Sequence, residues 1–387
     1  MKVRDCALLP TMVQLDVTGA PLYPSTLTLN DLPNEILIYI FSMVDFESLL
    51  AVAKVCMRWQ QLCLTPCVWD KTRLIVCMKN YVRISENIVP FVAKYVKNVK
   101  LQYFKLYSQV RASLISYCPN LTHLEISISQ VDSCIFDDLG CWPNLKFLSF
   151  RNSLIVKNPE NANGNFVYHL PFDKLKNLET LVLSNFALTH DSLYKMLQCS
   201  NLVSISMEKM KNIPADFLES LLRTKQTTLR ALHIYGDTLN DDIMRHISNC
   251  KALQVLHIMT CKTLFDSSLL HLYRLKNMHS LKLRHGYFST SALLAYFTNN
   301  TFQNLTYLSL SRCLHVTMQV AKAIKTSAPN LQELSFYLCP FIIAPNFDRC
   351  IYIVDIFVFK FQCIGCASGL KMVLSDMIER YKRSYDD

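Results

Sequence analysis

"NLTYLSL", residues 304–310, is the stretch that decides the fold, because it returns along the chain with small variations. Each copy places apolar residues near its second, fifth and seventh positions. The alternation over the last four residues is typical of a strand with one buried face. The clear copies are NLTHLEI at 120, NLKFLSF at 144, NLETLVL at 177, NLVSISM at 201, TLRALHI at 228, ALQVLHI at 252, NMHSLKL at 277, NLTYLSL at 304 and NLQELSF at 330.

The copies recur at a nearly constant period. From a degenerate first copy at Val96, the first apolar residues of successive copies are 24 to 27 residues apart, with one longer interval of 33. This period lies in the range of leucine-rich repeats, about 20 to 29 residues. Helix-like stretches separate the strands, and those at 191–200 and 241–250 begin with an aspartate that can cap a helix. The pattern predicts an α/β fold, a curved leucine-rich-repeat solenoid with one strand and one helix per repeat.

Two parts of the chain depart from this period. The interval of 33 residues contains the polar, turn-rich segment 156–166, for which we predict a surface loop. After Cys339 the spacing fails, although the sequence from Ile351 offers a possible last copy. Because the last strand of an array needs a cover, 341–387 is interpreted either as an irregular cap and tail or as an altered terminus.

Composition narrows the function classes. The 387 residues carry a net charge of +10 and are 51% apolar, which is typical of a globular protein and favours acidic partners. No run of basic residues or RNA-binding signature is present, so nucleic acid is an unlikely partner. The longest apolar run, from Ile351, is interrupted by Asp355 and Lys360 and is too short to span a bilayer. We therefore expect no membrane association.

The sixteen cysteines are scattered along the chain, which favours reduced thiols and a cytoplasmic or nuclear location. Six of them lie three residues before or after the apolar positions of a copy. This placement resembles the cysteine-containing class of leucine-rich repeats and predicts small buried side chains. They are Cys118, Cys199, Cys250, Cys261, Cys313 and Cys339. The pair Cys363-x-x-Cys366 has no second pair at zinc-like spacing, so no metal site or cofactor is predicted.

A different pattern precedes the array. Residues 31–41 read DLPNEILIYIF, in which apolar residues recur at three- and four-residue intervals along a short helix that Pro33 can start. Together with the residues up to Trp69, this segment resembles the F-box, a small helical module. The matching positions are Leu32, Pro33, Glu35, Ile36, Leu37, Ile40, Phe41, Leu49, Leu50, Val55, Cys56, Trp59, Leu62 and Trp69.

The combination resembles the F-box and leucine-rich-repeat family, whose members are substrate-receptor subunits of Skp-cullin-F-box ubiquitin ligases. The resemblance implies that the F-box docks on a Skp-type adaptor, and through it on a cullin-RING ligase, while the repeats bind a protein substrate. On this analogy the adaptor-contacting positions include Leu32, Pro33, Ile36, Ile40, Val55 and Trp59. The alternative is that these side chains only hold the small module together.

The predicted organisation has four parts. A module of this size seldom buries enough apolar surface alone, so some of its apolar residues are expected to face a partner or the first repeat. The parts are a flexible segment at 1–26, an F-box at 27–72, a solenoid of about ten repeats at 73–340 and an irregular C-terminal cap and tail at 341–387.

Outward-facing strand positions indicate where the repeats could bind a substrate. If the motif leucines point inward, the residues between them line the concave surface, on strands about 4.8 Å apart. The patch so formed suits an acidic or phosphorylated peptide, because Arg284 can hold an anion through two hydrogen bonds. The predicted substrate-binding residues are His233, Tyr235, His257, Lys282, Arg284 and Tyr307. The alternative is a solvated surface on which the histidines are incidental.

The sequence carries no catalytic motif. It lacks a Gly-rich phosphate loop, His-Glu-x-x-His, Gly-x-Ser-x-Gly and a paired zinc motif, so we predict a non-catalytic protein. The alternative to a substrate receptor is a leucine-rich-repeat binding or scaffold protein that acts without ubiquitin transfer. Recovery of a Skp-type adaptor through the F-box would separate the two.

Overall fold

A computed structural model describes most of the chain between residues 28 and 339. The described segments are 28–70, 72–77, 93–103, 105–106, 118–156, 167–185, 187–210, 213–336, 339 and, for the backbone, 351–353. The predicted flexible segment at 1–26 and the pair Cys363-x-x-Cys366 lie outside them. The predicted loop at 156–166 also lies outside them, except for Val156. The predicted cap and tail at 341–387 lie outside them as well, except for the backbone of 351–353.

Twelve strands form one parallel sheet in the order β1-β2-β4-β6-β9-β11-β12-β13-β14-β15-β16-β17. Two smaller parallel sheets pair β3, β5 and β7, and β8 with β10. The strands are β1 (Arg73–Val76), β2 (Asn98–Gln102), β3 (Lys105–Leu106), β4 (His123–Ser127), β5 (Gln130–Asp132), β6 (Phe147–Arg151), β7 (Leu154–Val156), β8 (Val167–Tyr168), β9 (Thr180–Ser184), β10 (Ala187–Leu188), β11 (Ser204–Glu208), β12 (Ala231–Ile234), β13 (Val255–Ile258), β14 (Ser280–Leu283), β15 (Tyr307–Ser309), β16 (Glu333–Ser335) and β17 (Ile351–Ile353).

Helices precede the sheet and then alternate with its strands. The described α-helices are α1 (Asn34–Phe41), α2 (Phe46–Val52), α3 (Met57–Cys63), α4 (Pro66–Trp69), α5 (Ile135–Asp138), α6 (His190–Met196), α7 (Ala215–Thr224), α8 (Asp241–Asn249), α9 (Asp266–His271), α10 (Thr290–Thr298) and α11 (Met318–Ser327). Between β6 and β9 the only helical element in the described part is a 3₁₀ turn, Phe172–Lys174. The predicted fold, a helical module followed by a leucine-rich-repeat solenoid, is confirmed.

Both ends of the large sheet add a strand to the repeat pattern read from the sequence. The first strand, β1, lies before the degenerate copy at Val96 and pairs with β2. At the other end, the backbone of β17 pairs with β16, at the position of the possible last copy. The sheet is therefore longer than the nine clear motifs.

The motif leucines form the core. In β12, β13 and β14, half-buried and fully buried residues alternate, and Leu256 and Leu281 are completely buried opposite one another. Each such side chain contributes about 1.5–3 kcal/mol through burial. The apolar core runs without a break from Leu37 to Cys339, so the N-terminal helices and the array share it.

Asparagine side chains connect each repeat to the one before it. Five asparagines directly before the first motif leucine or methionine donate Nδ2–H to a backbone carbonyl one repeat earlier, at 2.8–3.2 Å. The pairs are Asn120 with Lys94, Asn177 with Pro143, Asn201 with Lys176, Asn277 with Lys251 and Asn330 with Gln303. These hydrogen bonds lie at the exposed surface, and each links two successive repeats with a net contribution of about 0.5–1.5 kcal/mol.

The six cysteines in register with the motifs are buried, as predicted. Cys199, Cys250 and Cys313 lie 3.6–3.8 Å from backbone carbonyl oxygens of the preceding repeat, consistent with weak S–H hydrogen bonds. Burial raises the pKa of these thiols, that of Cys250 to about 11. They therefore act as protonated packing groups.

The helix caps differ from the prediction. Thr189 and Asn240, not the aspartates that follow them, cap α6 and α8 by accepting from backbone N–H groups. The reason is that the cap must be the last extended residue, and the aspartates already lie inside the first turn. Asp191 instead pairs with Lys195, and Asp241 accepts from serine hydroxyls of the next repeat.

Candidate functional site

Helix α1 divides its apolar residues between the core and the surface. Leu37 and Phe41 are buried, whereas Ile36 is 46%, Tyr39 59% and Met43 66% exposed. Ile36 and Tyr39 are three residues apart, which places them on one side of the helix, and Met43 lies in the turn just after it. Half of the apolar stripe thus remains uncovered in this chain.

A second exposed group lies at the start of α3. Val55 and Met57 are 60% and 70% exposed. Arg58 beside them donates through Nη2 to the carbonyl of Leu32 at 2.6 Å and to Asn34 Oδ1 at 2.8 Å. These hydrogen bonds hold the start of α3 against the start of α1, so both exposed groups belong to the same small module.

Trp59 has structural contacts within this module. Its ring lies 5.3 Å from that of Phe41, and its Nε1–H donates to Asn30 Oδ1 at 3.1 Å. The ring is only half-buried, so part of it still faces solvent. Trp59 therefore supports the module from inside and retains an exposed edge.

The six predicted adaptor-contacting residues fall into two groups. Pro33, Ile36 and Val55 are exposed, and Leu32, Ile40 and Trp59 are half-buried against the core. The sequence interpretation missed Tyr39, Met43 and Met57. Tyr39 and Met43 continue the spacing of three and four from Ile36, so the helical period alone could have found them.

The concave surface brings three of the predicted substrate-binding residues into one row. His233, His257 and Lys282 are opposite one another in the register of β12, β13 and β14. Tyr307 on β15 lies in the adjacent row, with its ring 6.0 Å from that of His257. All of these residues are half-buried.

Tyr235 and Arg284 lie just beyond the ends of β12 and β14, in a further row. Met259 lies between them, because its N–H bonds to Ile234 and the N–H of Arg284 bonds to Ile258. The structure therefore places Tyr235 and Arg284 on the same surface but not in contact through neighbouring strands.

The two histidines are neutral rather than cationic. Their rings are 4.3 Å apart, and His257 Nε2 lies 2.8 Å from the Ser280 hydroxyl. Burial first, and then His233 and Lys282, lower the pKa of His257 to about 3. Burial also lowers the pKa of His233. The positive charge of the patch thus comes from lysine and arginine.

Lys282 and Arg284 supply that charge. Burial, followed by the nearby Arg284, lowers the pKa of Lys282, and Glu208 partly opposes this effect. Among the described residues, no carboxylate lies within ion-pair distance of either cation. Glu208 was not among the predicted site residues, yet it is the acidic neighbour that limits the positive field here.

The described residues contain neither a metal-binding cluster nor a membrane-spanning helix. Within the described residues, no group of three or more His, Cys, Asp or Glu side chains is arranged to hold a metal ion. Among the helices that the structure describes, none is long and apolar enough to cross a membrane.

Comparisons with known proteins agree with this arrangement. The F-box-like family model matches residues 29–74. A comparison with curated protein sequences gives no match. Among solved structures, the yeast Rad7 and Elc1 complex matches with a TM-score of 0.53 and 15% identity, over 83% of this chain and 93% of that chain.

Two other solved structures match less well. The TLR13–ssRNA13 complex has a TM-score of 0.40 at 15% identity, over 70% of this chain and 42% of that one. A Listeria monocytogenes internalin has a TM-score of 0.35 at 15% identity, over 74% and 93%. The chain thus consists of an F-box-like module followed by a leucine-rich-repeat solenoid, with a fold similar to that of the yeast structure.

Proposed function

We propose that this chain is the substrate-recognition subunit of a Skp-cullin-F-box ubiquitin ligase. Its F-box-like module docks on a Skp-type adaptor, and its repeats hold a protein substrate for ubiquitination. The chain supplies proximity rather than reacting groups, so it is not itself an enzyme. The observation that carries the proposal is the exposed apolar face on the module that the F-box-like model matches.

The exposed apolar face has the composition of a docking surface. Five large apolar side chains of one small module are between 46% and 70% exposed: Ile36, Tyr39, Met43, Val55 and Met57. Exposed apolar side chains concentrated in one small module indicate an interaction site, and aromatic residues and methionine are enriched at interfaces. A protein adaptor that covers this face would complete the core of the module.

The concave patch provides the substrate surface in this proposal. Lys282 and Arg284 supply positive charge, and the neutral His233, His257 and Tyr307 supply flat, partly apolar contacts. Such a surface suits an acidic or phosphorylated polypeptide segment. We further propose a cytoplasmic or nuclear location, since the sixteen cysteines are scattered along the chain rather than grouped in a short secreted framework.

The alternative is a binding or scaffold protein that recruits no ligase. The yeast structure of similar fold is a complex of Rad7 with a partner protein, Elc1, and the presence of a partner is compatible with both functions. The two functions differ in whether the module carries an adaptor and a cullin with it.

Affinity capture from cells tests the proposal. The tagged chain is expected to recover a Skp-type adaptor and a cullin, and the double variant Ile36→Asp, Val55→Asp is expected to lose most of both, because charges cannot replace buried apolar contacts. Leu270→Asp, which changes an equally exposed leucine of the array, is the matched control and should recover both.

A second variant separates the two surfaces. Lys282→Glu is expected to retain the adaptor while changing the set of retained substrate proteins. Equal adaptor recovery by the double variant and Leu270→Asp would overturn the adaptor role. Unchanged substrates in Lys282→Glu would overturn the role of the concave patch.

A further inference from the structure

Four basic side chains lie close together at the rim of the concave surface, where β13, β14 and β15 lead into their loops. We call Lys262, Arg284, His285 and Arg312 the rim cluster. His285 and Arg312 occupy equivalent positions in successive repeats, each with a left-handed backbone, φ 57° and 55°. The sequence patterns assigned neither residue, because both follow the strand motif and lie outside its alternation.

The backbone of the rim cluster is fixed by hydrogen bonds between repeats. The N–H of His285 donates to the carbonyl of Ser311 at 2.9 Å, and the carbonyl of Arg284 accepts from the N–H of Cys261 at 2.7 Å. Arg284 and His285 are therefore held between the repeats on either side of them. The backbone of the cluster is therefore held in place without a ligand, and binding would require movement of the side chains alone.

The contact between Arg312 and His285 defines the protonation state of the imidazole. Arg312 Nη1 lies 3.1 Å from His285 Nε2. Arginine can only donate, so Nε2 accepts and the ring is neutral with its proton on Nδ1. That Nδ1 is buried and has no hydrogen-bond partner among the described residues. Neighbouring Arg284 Nε is a second buried donor without an acceptor in the described part of the chain.

The charges around His285 are all of one sign. Burial lowers its pKa first, and Arg312, Arg284 and Lys262 lower it further, without an opposing acidic contribution. Asp266, the first residue of α9, accepts instead from the N–H and hydroxyl of Ser289 at 2.8 and 2.6 Å. Three cations, one of them Arg284 itself, thus lie around the buried His285 Nδ1, and the described residues provide no acceptor for this donor or for Arg284 Nε.

We propose that the rim cluster binds a phosphate monoester dianion, with Arg284 Nε–H and His285 Nδ1–H as its direct donors. Buried donors are normally satisfied, and a dianion would satisfy both while neutralising the surrounding cations. The phosphate can be carried by a polypeptide on the concave surface or be a free small molecule. This binding does not depend on the ligase role, because no adaptor contacts the rim cluster in the proposed arrangement.

Calorimetric titration of the full chain with inorganic phosphate tests this site. Wild type is expected to bind phosphate, with no comparable heat from chloride at equal ionic strength. His285→Leu removes one donor, and Arg284→Lys keeps the charge but removes Nε. Each should weaken phosphate binding by about tenfold or more if the donors act as assigned. Arg223→Gln, which removes an arginine paired with Glu219 on α7, is the matched charge control.

The outcomes are distinct. Equal responses to phosphate and chloride, or full phosphate affinity in both rim variants, would overturn the site. A Gly-Ser heptapeptide with one phosphoserine distinguishes the sources of the anion. Binding of this peptide more tightly than inorganic phosphate, and not of its unphosphorylated form, would support a polypeptide ligand. Equal affinity for peptide and inorganic phosphate would support the site as one for a free anion.

Discussion

The F-box-like module and the repeat array use amphipathic elements in opposite ways. In the array, each strand buries its leucines against the neighbouring repeats, and Leu256 and Leu281 are fully buried. In the module, α1 buries Leu37 and Phe41 but leaves Ile36 and its exposed neighbours in solvent. Within the array, neighbouring repeats cover one another's apolar surfaces because the copies are stacked in sequence. The module leaves part of its apolar surface uncovered, and the function proposed above assigns this surface to an adaptor.

The array and the exposed side of α1 contribute differently to the stability of the folded chain and to association. Hydrophobic stabilisation follows the area removed from water, so the array stabilises the folded chain and the exposed half of α1 contributes little. The free energy that this half could contribute is available for association instead. Substitutions in the two regions should therefore affect different measurements.

The largest expected effect is on the unfolding of the array. Leu256→Ala should lower the free energy of unfolding by about 2–5 kcal/mol, because it removes buried methyl groups and leaves a cavity. Ile36→Ala should change it by less than about 1 kcal/mol, since this side chain is 46% exposed. Urea denaturation followed by circular dichroism measures both free energies of unfolding. Similar losses in the two variants would contradict the difference between the array and the module.

A smaller effect concerns the pH dependence of the concave surface. The pKa of His257 is about 3 in the folded chain and about 6.5 when unfolded, so protonation favours unfolding. The stability that neutral His257 supplies is complete above about pH 6.5 and is lost as the pH falls from 6.5 towards 3. Between pH 6.5 and 3, the free energy of unfolding of His257→Gln should depend less steeply on pH than that of wild type. The difference in slope should be up to about 1 kcal/mol per pH unit. Parallel slopes in the two proteins would contradict the assigned burial of the imidazole.

The smallest effect concerns the asparagines between repeats. Asn201→Ala removes the hydrogen bond to the carbonyl of Lys176 and should cost about 1 kcal/mol. Asn201→Asp has a similar shape without the donor and should cost at least as much. Thermal melting of both variants, with Asn299→Ala at the exposed position directly after α10 as a control, checks this. No loss in either variant would show that burial alone stacks the repeats.

Much of the fold could be predicted from the sequence because the motif recurs at a nearly constant period in ten copies, nine clear and one degenerate. The positions of the leucines, the cysteines and the helical module follow from spacing and from local alternation. The residue that caps each helix could not be identified from the sequence. Thr189 and Asp191 are both suitable capping residues, and only the backbone conformation decides between them.

The candidate sites were less predictable. Register placed His233, His257 and Lys282 together, as the motif spacing suggested. The charge state of the histidines could not be predicted from the sequence, because the neutral state of His257 depends on its burial between neighbouring repeats. His285 lies in a left-handed turn that recurs at the same position after most strands, so the repeat period could have located the turn. It could not have shown that the imidazole there holds a buried donor.

Calorimetry with a purified Skp-type adaptor tests the central claim, that the uncovered face of the F-box-like module is a docking surface. Wild type is expected to bind with a negative heat-capacity change, because apolar surface is buried. Ile36→Asp with Val55→Asp should bind at least about 100-fold more weakly, equivalent to about 2.7 kcal/mol, while the array unfolds as in wild type. Unchanged adaptor affinity in this double variant would contradict the claim.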